Sequence, residues 1–203
     1  MSEAAERSCR AIMGVCADWE TVAREIDRRD FMESNLLNDS DRLGIPESAQ
    51  SLSYLARIVA HGESFTFARI RETVEAHVAR VGSPMLTQLY DGKKNALDST
   101  WDNALNALRD WLSVDLRKAS SWPHMKSLIE LRNASAHGGG GFTERQRKNP
   151  QQFEKMRKEI STLGYEFQSF RIITFRGAVR REARAVSAFV QEIDDLTRST
   201  ALS

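Results

Sequence analysis

Apolar side chains return every three or four residues along most of this 203-residue chain, and that spacing is the tightest restriction on what it can fold into. Residues 3–28 place Cys9, Ile12, Met13, Cys16, Trp19, Val22, Ala23 and Ile26 on one stripe, which predicts one long amphipathic helix. A polar stretch over 29–46 ends in the break Gly44-Ile45-Pro46. Pro46 suits the first turn of a second helix through Ala49, Leu52, Leu55, Ile58 and Val59. Ser64 offers a cap for a third, through Phe67, Ile70, Val74, Val78 and Val81, which Gly82 and Pro84 stop. A fourth aligns Trp101, Leu105, Leu108, Trp111 and Leu112 behind Asp98, Ser99 or Thr100 as cap. A fifth starts near Trp122-Pro123 and carries Met125, Leu128, Ile129 and Leu131 toward Arg132.

Four glycines, 138–141, form the sharpest interruption in the chain and read as a flexible hinge. Beyond them Asn149-Pro150-Gln151-Gln152 resembles a capped helix start leading to Phe153, Met156 and Ile160. Residues 165–175, YEFQSFRIITF, are β-prone and suit a short strand, an extended arm or an early helical turn. A last helix, about 177–198, stacks Val179, Ala183, Val186, Phe189, Val190, Ile193 and Leu196. With 4 prolines and 11 glycines the chain is poor in the turns of a β-sandwich, and 41% hydrophobic residues suffice for a core. The expected fold is an all-α bundle of six to seven helices with a possible β-prone arm near 165–175. It reads as a single domain over 1–203: a bundle to residue 141 that ends in the glycine run, then a basic C-terminal helical segment over 142–203.

The charge is nearly balanced overall but unevenly spread. Residues 142–184 hold 11 basic and 5 acidic side chains, whereas residues 1–141 hold 17 and 20. A globally basic nucleic-acid binder is excluded, and a local basic surface remains. Arg145, Arg147, Lys148, Lys155, Arg157 and Lys158 lead that block, as a phosphate-tracking surface or as a solvated helix face. Tyr165, Phe167, Phe170 and Phe175 lie among these cations, where they suit either base stacking or the docking of an arm on the bundle. Two cysteines, seven apart on one helical face, are too few for a disulfide framework or a four-ligand zinc site. They read as small core residues. The polar N-terminus shows no signal peptide, and no apolar run approaches the ~18 residues of a membrane span. The expectation is a soluble protein of the cytoplasm, away from membranes and needing no metal or cofactor.

The chemistry sits just before the glycines, in Leu128-Ile-Glu-Leu-Arg-Asn-Ala-Ser-Ala-His-Gly. Asn133 and His137, four apart, share a helical face, while Arg132 and His137 lie about 140° apart around the axis. Arg132 therefore reaches His137 only where the helix ends or bends, which Gly138 would permit. An imidazole with a pKa of about 6.5 moves protons at neutral pH. A guanidinium keeps its charge and forks onto phosphate oxygens. Together they suit metal-free cleavage of RNA, in which the ribose 2′-OH attacks the adjacent phosphorus while Arg132 offsets the growing charge. Glu130 reads as a surface acid that is also within reach of orienting the guanidinium. The residues alone also allow a histidine that only faces the negative end of a helix dipole.

At these residues, RNASAHG over 132–138, the chain resembles the HEPN superfamily of all-helical proteins. Its mark is Arg, four to six residues, then His, commonly with Asn directly after the Arg. Arg71/His77 and Arg117/His124 meet the bare spacing but lack that Asn. The first pair reads as mid-helix and the second as spanning an interhelix turn. The resemblance implies a metal-independent endoribonuclease of toxin–antitoxin or antiphage type. Arg132 and His137 would be catalytic, Asn133 would shape the site, and products would end in a 2′,3′-cyclic phosphate or 3′-phosphate. It further implies a homodimer with the active site at the interface, and leaves room for an antitoxin or regulatory partner. The alternative from the same family is a non-catalytic helical module for interaction or ligand sensing.

Overall fold

The computed structural model describes residues 1–34, 42–97 and 99–202. Among them the expected all-α bundle is present, with eight helices and one small hairpin. The helices are α1 (Glu3–Ser34), α2 (Ile45–Val81), α3 (Pro84–Lys93), α4 (Trp101–Leu112), α5 (Trp122–Gly138), α6 (Glu144–Arg147), α7 (Pro150–Thr162) and α8 (Ala178–Leu202). A single 3-10 turn at Leu116–Lys118 joins α4 to α5. The β-prone segment forms antiparallel strands β1 (Glu166–Gln168) and β2 (Arg171–Ile173), in register Glu166↔Ile173 and Gln168↔Arg171.

Helix α2 is the axis of the bundle and packs against α1, α4, α5 and α8. The two helices expected over 46–59 and 64–81 are this one helix, and Ser64 is exposed in its interior rather than a cap. Gly62 lies where the two expected helices would meet: a Cβ there would be 2.7 Å from Val186 Cγ1 and 3.4 Å from Met125 Cε, so this is where α8 and α5 close on α2. Helix α1 runs further than expected, to Ser34, and the candidate cap Asp98 lies outside the described residues. Thr100 caps α4, its Oγ1 accepting from the Asn103 amide at 3.2 Å. The stop expected at Gly82 and Pro84 is present, with α2 ending at Val81 on a left-handed Gly82; Pro84 also starts α3 behind the N-cap Ser83, in keeping with proline at a first helical turn.

Buried side chains from α1, α2, α4, α5 and α8 form one cluster, with Ile12, Trp19, Leu55, Ile58, Leu108, Leu128 and Phe189 nearly or fully enclosed. Cys16 lies in it and Cys9 at its edge; both are free thiols pushed above their ordinary pKa by burial, as suits inert packing residues. No helix among the described residues is long and apolar enough to cross a membrane.

Carboxylates of α8 tie distant parts together. Asp194 accepts from the Ser2 amide (2.7 Å) and hydroxyl (2.6 Å), anchoring the start of α1. Glu192 accepts from the amides of Ser120 (2.8 Å) and Ser121 (3.0 Å), ahead of α5. Glu182, fully enclosed, meets His124 Nε2 at 2.5 Å and the Tyr165 hydroxyl at 3.2 Å. Burial alone would raise the Asp194 and Glu192 carboxyls, but the hydrogen bonds from the serines outweigh it and hold both below the usual carboxylate range. Carboxyls with lowered folded-state pKa stabilise the fold above their unfolded values, about 4, and lose that contribution as the pH falls through the folded ones.

Two measurements follow from this packing. Gly62→Ala should lower stability by about 1–2 kcal/mol in urea unfolding, because overpacking at the crossing outweighs the better helix propensity of alanine. Wild-type stability should fall as the pH drops below about 4, and Asp194→Asn, less stable at pH 7, should show a shallower acid limb; parallel pH curves for the two would refute the assignment.

Candidate active site at the end of helix α5

The sequence of α5 sorts its side chains around the axis. Met125, Leu128, Leu131 and Ala134 are buried toward the bundle, whereas Lys126, Glu130, Asn133 and His137 follow one another at helical spacing on the opposite side. That second face is one wall of an open groove of about 890 Å³. The other wall comes from the 143–146 segment and α7, which contribute Thr143, Arg145, Gln146, Gln152, Lys155, Met156 and Glu159.

Three contacts hold the walls in place. Thr143 and Gln146 form a capping box, and the Gln146 side-chain amide donates to the Glu130 carbonyl (3.0 Å) and to Glu130 Oε2 (2.8 Å). Glu130 is thus half-buried and partnered to Gln146 rather than free on the surface. At the far end Lys126 Nζ stands 3.9 Å from Glu159.

The glycine run is a pinned turn, not a hinge. His137 remains inside the last turn of α5, which Gly139 caps in the left-handed region. Gly140, at φ 87°, accepts from the Ile172 amide at 3.0 Å, and a Cβ on it would lie 3.2 Å from Ala49 Cβ. A Cβ on Gly141 would stand 3.0 Å from the Phe170 carbonyl oxygen. These close approaches dock the turn between α2 and the hairpin, which only glycine permits.

Arg132 does not wrap toward His137. Its Nη2 donates to both carboxylate oxygens of Glu63 on α2, each at 2.6 Å, and Nη1 donates to Asn133 Oδ1 at 3.1 Å. Glu63, 7% exposed, also accepts from Trp101 Nε1 at 2.6 Å. The Arg132 Nε–H and one Nη1–H have no acceptor among the described residues, and the side chain reaches the groove. His137 is exposed, lines the same groove and has no hydrogen-bond partner among the described residues.

The structure therefore gathers Arg132, Asn133 and His137 on one groove and adds Arg145 and Lys155 from the basic block. The rest of that block goes elsewhere. Arg147 lies over Phe170 (4.4 Å), Arg157 over Phe167 (5.1 Å) and beside Glu154 (3.2 Å). Lys148 and Lys158 are exposed outside the groove. Four cations, Lys126, Arg132, Arg145 and Lys155, face two carboxylates, Glu130 and Glu159, so the lining favours an anionic ligand. The other Arg/His spacings form no comparable site: His124 pairs with Glu182, and His77 lies 3.3 Å from Arg80.

Sequence reasoning missed Glu63, Lys126 and Gln146. Lys126 was legible as the residue eleven before His137, and Gln146 as the last position of Thr143-x-x-Gln. Nothing local marks Glu63, whose partners come from 38 and 69 residues away. No protein-family model, curated protein or solved structure matches the chain.

Removing the Glu63 charge leaves Arg132 half-buried with a neutral partner. Glu63→Gln should cost about 1–3 kcal/mol in urea unfolding, with Glu63→Ala costing more because Trp101 Nε1–H also loses its acceptor. Equal stability of all three proteins would show that the pair is not a structural clamp.

Proposed function

We propose that this protein is a metal-independent endoribonuclease of the HEPN kind, acting as a homodimer in which two Arg132/His137 sets face each other. The observation that supports it is the meeting of Arg132, Asn133 and His137 with Arg145 and Lys155 on one open, net cationic groove. In this reading the ribose 2′-oxygen attacks the adjacent phosphorus and the bond from phosphorus to the 5′-oxygen breaks. One His137 takes the proton from the 2′-OH, and the His137 of the second copy returns one to the departing 5′-oxygen. Arg132, oriented by Glu63, directs its remaining N–H donors at the non-bridging oxygens as negative charge builds there. Arg145 and Lys155 hold flanking phosphates. A place in toxin–antitoxin or antiphage defence in the cytoplasm, with an antitoxin or regulator as partner, follows from the habits of the family the motif resembles.

A second reading has one observation behind it. Arg132 commits one nitrogen to a buried carboxylate, which is also how a purely structural arginine is held. The protein would then be a non-catalytic interaction or ligand-sensing module.

Cleavage of labelled single-stranded RNA and tRNA in EDTA separates the two. The nuclease reading expects cuts that survive EDTA and leave cyclic-phosphate ends. Rates should fall at least about 100-fold in His137→Ala and Arg132→Ala. Wild-type protein that is dimeric yet cuts no RNA at any concentration would leave the interaction module.

A further inference from the structure

Of the four aromatic residues in the basic block, the fold spends three on packing. Tyr165 is buried against Glu182, Phe167 stacks on Phe142 (5.4 Å) beneath Arg157, and Phe175 lies under Arg181 (4.6 Å). Phe170 is the exception. It occupies the tip of the hairpin, beside Ser169 in the left-handed region, and is 50% exposed. Arg147 and Phe153 cover part of its ring, and the remaining half of its surface faces solvent.

Its backbone is tied to the segment that follows α5. The Phe170 carbonyl accepts from the Phe142 amide at 2.9 Å, and Gly141 pairs with Arg171, so the tip is pinned to the backbone that leaves α5 just after His137. Arg147, two residues from the groove-lining Arg145, lays its guanidinium on the ring at 4.4 Å. No ion pair neutralises Arg147 among the described residues, and its Nε is buried without an acceptor. Arg171 beside the tip is exposed and has no ion pair among the described residues. Phe153 supports the ring from within, with centroids 6.3 Å apart. The result is a half-exposed aromatic ring with one arginine on it and another beside it, on the hairpin that docks against the glycine turn after the groove helix. This is the combination with which proteins hold unpaired nucleotides, where bases stack on rings and arginine while cations follow the backbone.

We propose that Phe170 with Arg147 is a stacking platform for an unpaired base, so that the α5 groove takes single-stranded rather than duplex RNA. The proposal rests on the groove being a nucleic-acid site, but not on its cleaving anything. A duplex keeps its bases stacked on one another and offers the ring no face.

The test is binding of a fluorescein-labelled 2′-O-methyl RNA dodecamer, which has no 2′-OH to attack and so reports binding without cleavage. The single strand should bind more tightly than the same sequence as a duplex. Phe170→Ala should weaken single-strand binding about 10-fold, within the range of one lost stacking contact, and leave the duplex unchanged. Phe170→Trp should restore it. Binding that is equal for both forms, unaffected by Phe170→Ala, or undetectable in the wild type would overturn the platform. Cutting of natural RNA by wild type and Phe170→Ala alike, with equal single-strand binding, would reject the platform and keep the nuclease. Phe170-dependent binding without any cutting would do the reverse.

Discussion

A carboxylate in the interior of a helix bundle is unfavourable by several kcal/mol unless its charge and lone pairs are met. Glu63, near the middle of α2, is met by Arg132 from α5 and Trp101 from α4. Satisfying that one group sets three helices in register with one another. Because Arg132 is adjacent in sequence to Asn133 and five residues from His137, the same contact fixes the rotation of α5 and hence the face it turns to the groove. Slippage of α5 by one residue would strand the carboxylate and turn His137 by about 100°. The ion pair therefore does more for geometry than for net stability, which is the better supported role of buried charge.

Most of the bundle was legible from the apolar stripes alone, because amphipathic spacing is a local property and seven of the core stretches carry it. Failures came where a local signal had a tertiary purpose. Gly62 and Ser64 look like a helix junction, yet Gly62 is there because two other helices cross at it. The helix does end before Gly82 and Pro84, yet Pro84 also opens α3, since proline is compatible with the start of a helix as well as with the end of one. The glycines at 138–141 looked loose because composition shows conformational freedom and cannot show docking; contact with Ala49 and the hairpin removes that freedom.

The site was legible in part for the same reason. Arg132, Asn133 and His137 announce themselves by type and spacing, and the groove contains all three. The basic block divided according to what lay beneath it: side chains above Phe167 and Phe170 lie across aromatic rings, while Arg145 and Lys155 overhang the gap between α5 and α7. Charge density along a sequence identifies such a block without sorting its members. The orienting acid was out of reach, since a buried Glu surrounded by apolar helix gives no sign of which distant arginine it will meet.

The bond between Ser2 and Asp194 joins residues 192 positions apart, and α1 and α8 lie together on α2. The face of α2 that α8 covers therefore closes only after the residues between them have been synthesised, whereas α1 precedes α2 and is available to it earlier. Until then that face is exposed apolar surface, the kind on which incompletely folded chains associate. The start of α5 is completed in the same way, because the serine amides ahead of it are held by Glu192 of α8, 71 and 72 residues later in the chain.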